Sequence, residues 1–358
     1  MTGIPRSIFL ALFALLTGCA VTGPQEFHYQ PPLEPGAQDA VVWPQPPEQT
    51  RFVYVGQLLG EQNLRPRESG EGQRVQRVLR WLVGLGGGLG PEPTVLRRPH
   101  AVAVGADGRI FVADMGRPSI FVFDLAEPSL QVWDRAAPGL PLLAPSGLVT
   151  AADGGVLVAD AERAEVYRLD REGRPQGSFG AGELLRPGGL ARDDTRGEIY
   201  VADIRAHAVK VFDESGRLLR TLGGSGEGAG RFNAPSHVAF ADDLVYVTDA
   251  FNARVQVLSR EGESLGVIGR RGLYVGNLVR PKGVAVDAAG RVYVVESYYG
   301  HLLVFDGSGA LLLPITTTGT ELGGLYLPAG VAVDERQQVY LADMFNGRVL
   351  ILRYVGED

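Results

Sequence analysis

Pro328-Ala-Gly-Val-Ala-Val333, then Tyr340-Leu-Ala-Asp343, then Phe345-Asn346-Gly347-Arg348-Val349 is the stretch whose reading decides the fold, because the chain carries variants of its first two runs six times. Aligned on the proline, the earlier copies begin Pro99-His-Ala-Val-Ala-Val, Pro145-Ser-Gly-Leu-Val-Thr, Pro187-Gly-Gly-Leu-Ala-Arg, Pro235-Ser-His-Val-Ala-Phe and Pro281-Lys-Gly-Val-Ala-Val. The prolines are 46, 42, 48, 46 and 47 residues apart. A second apolar run in each copy ends in acid, at Asp114, Asp160, Asp203, Asp249, Glu296 and Asp343. A third closes on Phe123-Asp124, Leu169-Asp170, Phe212-Asp213, Leu258-Ser259, Phe305-Asp306 and Leu352-Arg353.

Short apolar runs of this kind are strands, and the first run of each copy is apolar on both faces, as an inner strand packed on two sides must be. Asp107-Gly108, Asp153-Gly154, Glu172-Gly173, Ser215-Gly216 and Glu261-Gly262 supply the positive-φ positions of tight turns between them. A repeat of 40–50 residues holding three or four strands is a propeller blade. The expected fold is therefore all-β, a six-bladed β-propeller.

The repeats resemble the NHL family, whose pattern runs proline, glycine, Val-Ala-Val-Asp, then Tyr-Val-Ala-Asp, then Asn-x-Arg-Val. Phe251-Asn252-Ala253-Arg254-Val255 and Phe345-Asn346-Gly347-Arg348-Val349 carry the last segment closely, and the resemblance covers residues 98–355. Blades 1 to 3 lack the Asn-x-Arg element. The last copy ends one strand short, while 51–58 reads as a lone strand upstream of the first copy. That strand is expected to complete the last blade and so remove an unpaired edge.

The N-terminus reads as an address. Arg6 precedes the apolar run 8–16 and Leu16-Thr17-Gly18-Cys19; the run is too short to span a bilayer but suits a signal-peptide core. The ending resembles the bacterial lipoprotein box, which implies cleavage before Cys19 and its diacylation, and Ala20 in the next position implies delivery to the outer membrane, facing the periplasm. The expected organisation is a signal peptide over 1–18, a lipidated, proline-rich tether over 19–50 and the closing strand over 51–60. An insertion follows over 61–95, then the six repeats over 96–358. Seven prolines lie in 20–50, a density that favours extended chain. Within the insertion, Val75, Val78, Leu79 and Leu82 fall at helical spacing with Arg74, Arg77 and Arg80 on other faces, a helix packed on the rim or resting on an anionic membrane.

Composition narrows function. A net charge of −7 does not suit nucleic-acid binding. Cys19 is the single cysteine, so a disulfide, a thiolate metal cluster and a cysteine nucleophile in the repeats are all excluded. No Gly-x-Ser-x-Gly elbow and no His-Glu-x-x-His helix occurs. Leu85-Gly-Gly-Gly-Leu-Gly90 lacks the Lys-Ser/Thr ending of a phosphate loop.

Three sets of residues remain as candidate sites. His100 and His237 open the first strands of blades 1 and 4, which face each other across a six-fold ring, and imidazoles are metal ligands. Propeller lyases related to the NHL family hold zinc with inner-strand histidines, and His100 matches their proline-histidine position while His237 is one residue out of register. A channel Zn or Ca is the only cofactor this reading admits, serving a metal-dependent lyase or hydrolase; the other reading has no cofactor at all. Arg98, Arg186 and Arg280, each before its repeat proline in blades 1, 3 and 5, form a candidate ring for an anion. Phe251, Tyr298, Tyr299, Met344 and Phe345 fall on turns of blades 4 to 6 and form a candidate patch for a protein or peptide partner. The six repeated acids are expected to brace their own turns by accepting backbone N–H bonds. The reading placed first is a binding or scaffold module for a protein, peptide or envelope component, without catalysis.

Overall fold

A computed structural model describes residues 25–29, 41–66 and 92–356. Its six main sheets are the blades. Blade 1 takes its strands in order from the axis outward: Pro99–Val104, Ile110–Asp114, Ser119–Asp124 and Ser129–Trp133, all antiparallel. We call these positions a, b, c and d. Blades 2 to 5 repeat the order over 145–179, 187–223, 235–268 and 281–315. Blade 6 has Val331–Val333, Gln338–Asp343 and Arg348–Tyr354 as a to c, and its d strand is Phe52–Leu58 from the other end of the chain. The expected closure is thus present, with Tyr54 paired to Leu352 and Leu58 to Val349.

Two chemical features of the repeat build strand a. Its proline cannot donate to a ladder, and in blades 1 to 5 the register shifts just after it, so Pro99 opposes Asp114 while Ala101 opposes Ala113. The third residue is small in every blade but the fourth because inner strands converge on the axis. A Cβ on Gly147 would fall 2.1 Å from the Gly188 carbonyl oxygen, which no side chain tolerates. Strand b is buried on both faces, Phe111, Val112 and Ala113 being fully inaccessible. Its side chains, with those of strands a and c, sort into six apolar clusters, each shared by two neighbouring blades. The core is therefore a ring of interfaces, each stabilised by the apolar area it removes from water.

The repeated acids lock the turns. Asp114 accepts from the backbone N–H groups of Arg97, Arg98, Gly116 and Arg117, and Asp160 does the same for Leu143, Ala144, Glu162 and Arg163. Each carboxylate thus ties the turn after strand b to the loop arriving from the previous blade. In blades 4 and 6 the Asn-x-Arg element completes that clamp. Asn346 Nδ2 and Arg348 Nε donate to Asp343 at 2.6 and 2.8 Å, and Arg348 reaches on to the Glu321 and Gly324 carbonyls. Arg348 also donates to Gln57 Oε1 at 3.1 Å, across the seam between the chain ends.

Two expectations need correction or limit. The stretch read as a tether is partly built into the body: Val42–Trp43 adds a fifth strand outside Phe52–Leu58, and Gln25–Phe27 pairs with Leu64–Pro66. The reason is aromatic burial, since Phe27 lies 6.3 Å from Phe123 edge-on and Trp43 packs on the core between blades 5 and 6. Proline density alone did not register these aromatic anchors. In the insertion, the described ends are a 3₁₀ turn, Glu61–Asn63, and the strand Leu64–Pro66. The expected helix around 75–82 and Cys19 lie outside the described residues.

Candidate functional site

The antiparallel register places the start of every a strand, the b–c turns and the loops between blades on one face, around one mouth of the central channel. Among the described residues, every exposed large apolar side chain that is not on a d strand lies on this face, Val355 apart. Phe251 is 65% exposed, Tyr298 55%, Phe345 46% and Tyr274 84%. Tyr326 meets Phe345 edge-on at 5.5 Å, and Tyr298 meets Tyr299 at 4.9 Å. Tyr299 is half-buried, a support for Tyr298 rather than a free contact. The loop 273–275, with Leu273, Tyr274 and Val275 all exposed, was missed in the sequence because it lies between repeats and has no counterpart in the other blades. Its signal was a run of bulky apolar residues where a connection should be polar.

The three arginines do not form one ring. Arg98 lies over the Phe345 ring at 5.5 Å, a cation–π contact. Arg186 pairs with Glu162 at 3.1 Å. Arg280 is exposed and has no ion pair among the described residues. Side-chain partners, invisible in a spacing argument, separated them.

His100 and His237 do meet. Their rings stack with centroids 5.8 Å apart and planes 21° apart. The register explains how residues one position out of step come together. Ala101, Gly147 and His237 pair with Ala113, Ala159 and Thr248, and Gly189, Gly283 and Gly330 hold the same place in their repeats, so the six share one layer across the channel. Five are alanine or glycine, so His237 alone fills that layer; a Cβ on neighbouring Gly189 would sit 3.2 Å from His237 Cδ2. The layer above holds His100, Ser146, Gly188, Ser236, Lys282 and Ala329. The stacked pair therefore roofs the channel, and a cavity of about 240 Å³ lies beneath it, lined by a-strand residues of all six blades, Thr150 and Arg192 among them.

The electrostatics of this roof are those of a positive site without a counter-charge. His100 Nδ1 donates to the Ser146 carbonyl at 2.9 Å, which leaves Nε2 as its lone pair while the ring is neutral. Burial first, then the Lys282 charge, pushes His100 down to about 4. Burial and the same two neighbours, His100 and Lys282, hold His237 well below the usual histidine range. His237 Nδ1 lies 3.2 Å from Ser236 Oγ, and its Nε2 is buried with no hydrogen-bond partner. Lys282 is half-buried, and burial followed by repulsion from Arg280 lowers its own pKa. Among the described residues, no three His, Cys, Asp or Glu side chains gather to hold a metal. Lys282 was legible in Pro281-Lys-Gly as the blade-5 equivalent of His100, but only the closed ring sets the two on one layer.

A larger hollow, about 970 Å³, opens on the opposite face between blades 5 and 6. Arg291 lines it, stacked 3.8 Å over Tyr354 and donating to Asp287 at 2.7 Å. The Arg291 charge is thus engaged within the protein.

Fold and face together define a class: a six-bladed β-propeller of NHL-like repeats whose loop face is apolar at the rim and cationic at the axis. No family model matches the chain. Its repeats are 28% identical over 157 residues to NHL repeat-containing protein 2 of Bos taurus, covering 34% of this chain and 22% of that one. The chain thus spans about a fifth of the length of that curated relative. Among solved structures it is similar to an auxiliary nutrient binding protein from Bacteroides thetaiotaomicron, with TM-score 0.57, 12% identity and coverage of 73% and 70%. It is also similar to a streptogramin B lyase, with TM-score 0.55, 11% identity and coverage of 73% and 94%. At such identities the likeness is one of fold. No helix among the described residues is long and apolar enough to cross a membrane.

Proposed function

We propose that this protein is a binding module of the bacterial cell envelope, tethered to the outer membrane by acylated Cys19 and facing the periplasm. It captures a protein or peptide on the loop face of its propeller. The observation that carries this reading is that, among the described residues, the exposed aromatic side chains are confined to that face, around Phe251, Tyr298, Tyr326 and Phe345. Aromatic anchors flanked by arginine are the composition of interface hot spots, and exposed apolar clusters of this kind on a soluble domain mark contact sites. Binding proteins among its fold neighbours are consistent with such use.

The test is a triple substitution, Phe251→Ser, Tyr298→Ser and Phe345→Ser, with in-cell crosslinking of the wild type and the variant. All three side chains are at least 46% exposed, so thermal stability is expected to hold while the crosslinked partner disappears. Crosslinks that survive the triple change would refute the patch. The anchor has its own test: Cys19→Ser should move the protein from the membrane to the soluble fraction.

One observation favours a second reading, a metal-dependent lyase or hydrolase. His100 and His237 converge in the channel with one ring nitrogen of each outside any intraprotein hydrogen bond, and a streptogramin B lyase shares the fold. The metal content of tag-free protein tests it: stoichiometric zinc or calcium, lost in the His100→Ala, His237→Ala variant, would put this reading first.

A further inference from the structure

The axis of the loop face holds a cation that the protein itself does not neutralise. Lys282 lies on the layer with His100, half-buried where six blades converge, and no carboxylate pairs with it among the described residues. The repeated acids of this face and Glu162 are engaged within the protein, while Glu183, Glu227 and Glu321 lie exposed on the loops between blades. Asp114, Asp160, Asp203 and Glu296 accept backbone N–H groups, Asp249 and Asp343 hold Arg254 and Arg348, and Glu162 holds Arg186. Arg98 and Arg280 stand above the same mouth as exposed charges. A half-buried cation without a partner is costly to the free protein, and a bound anion offsets that cost.

We infer that Lys282, at the axis beside the His100–His237 stack, binds a carboxylate that approaches from the loop face. Lys282 is the one fixed charge on this layer, which matches a monoanion. The Lys282 charge on the layer of His100 opposes a cation there and favours an anion. This inference rests on the binding role of the loop face and narrows it: the ligand's carboxylate, a peptide C-terminus, meets Lys282 at the axis while its apolar side chains lie on Phe251, Tyr298 and Phe345.

The test uses the full chain in detergent, ¹⁵N-labelled on histidine, with N-acetylglycine as the probe of a peptide C-terminus. Saturable shifts of the His100 and His237 imidazole signals are expected, none is expected with N-acetylglycinamide, which lacks the charge, and Lys282→Met should weaken binding at least tenfold. Acetate binding as tightly as N-acetylglycine would keep the carboxylate site and assign it to free acids rather than peptide ends. Equal response to acid and amide, response to phosphate alone, or no response would overturn the inference, as would zinc or calcium shifting both imidazoles where the carboxylates do not. The acid–amide contrast is read on the wild type, so it stands even where Lys282→Met does not fold. Because the probe does not reach the rim, its failure leaves the crosslinking result at the patch intact, and the converse holds.

Discussion

Replacing Phe52 with alanine should loosen the joint that closes the ring. Phe52 is 1% exposed, on a strand that is joined to blade 6 only through residues almost 300 positions away; Gln57 meets Arg348 across a separation of 291. Its ring packs edge-on against Tyr293 of blade 5 at 6.2 Å and Tyr354 of blade 6 at 5.2 Å. Truncating a buried phenylalanine costs about 3–5 kcal/mol, because the transfer energy of the ring is lost and the cavity collapses only in part. Unfolding entropy of about 2.1 cal/mol/K per residue, over about 300 residues, gives about 0.6 kcal/mol per degree, so the fall in Tm is about 5–8 °C. Scanning calorimetry measures it. Leu265→Ala is the control: this residue also lies on a d strand, Ser264–Ile268 of blade 4, but is 58% exposed, and its loss should cost under about 0.5 kcal/mol. Equal Tm values for the two variants would refute the placement of Phe52–Leu58 in the ring.

Three further outcomes follow from the same contacts. Arg348→Met removes donors from Asp343, Gln57 and two loop carbonyls and leaves a buried carboxylate that burial already pushes up; a loss of about 3–5 kcal/mol in urea unfolding is expected, and one below about 1 kcal/mol would contradict the clamp. Glu198 accepts from Arg220 and Arg260, and those bonds, Arg220 first, hold it down to about 2. Its contribution is present above the ordinary glutamate range and lost as pH falls towards 2. Glu198→Gln should cost more than the ~1 kcal/mol of an exposed pair, and a stability difference that stays constant from pH 7 to pH 2 would count against it. Between pH 6.5 and about 4 the unfolded chain protonates His100 while the native one does not, so stability falls with pH across that window. His237 acts in the same direction. Denaturation midpoints at pH 7 and pH 4.5 should lie closer together in the His100→Gln, His237→Gln variant; an unchanged gap would place the titration elsewhere.

Much of this architecture was legible because it is periodic. Six prolines, six acids and six small-apolar alternations can be aligned without knowing where any atom lies, and the missing last strand could be matched to a lone strand near 51–58 by counting. The repeated acids read correctly as braces for the same reason, since a single function does not need six copies. What departs from the repeat was harder. Phe27 and Trp43 sit in a proline-rich stretch whose composition argues for extended chain, yet burial of their rings decided the outcome. Leu273, Tyr274 and Val275 have no equivalents against which to be noticed.

The sequence by itself determined the class of fold and its closure, because strand period, turn chemistry and repeat length are local properties that residue order encodes directly. It also named His100 and His237, and set them on opposite blades. Only the tertiary structure decided that they stack, that Arg98, Arg186 and Arg280 go to three different fates, and that Lys282 shares a layer with His100. Those outcomes depend on which side chains from distant repeats arrive at the axis together and on which charges have already found partners. Ring closure brings those residues together, and no spacing along the chain records it.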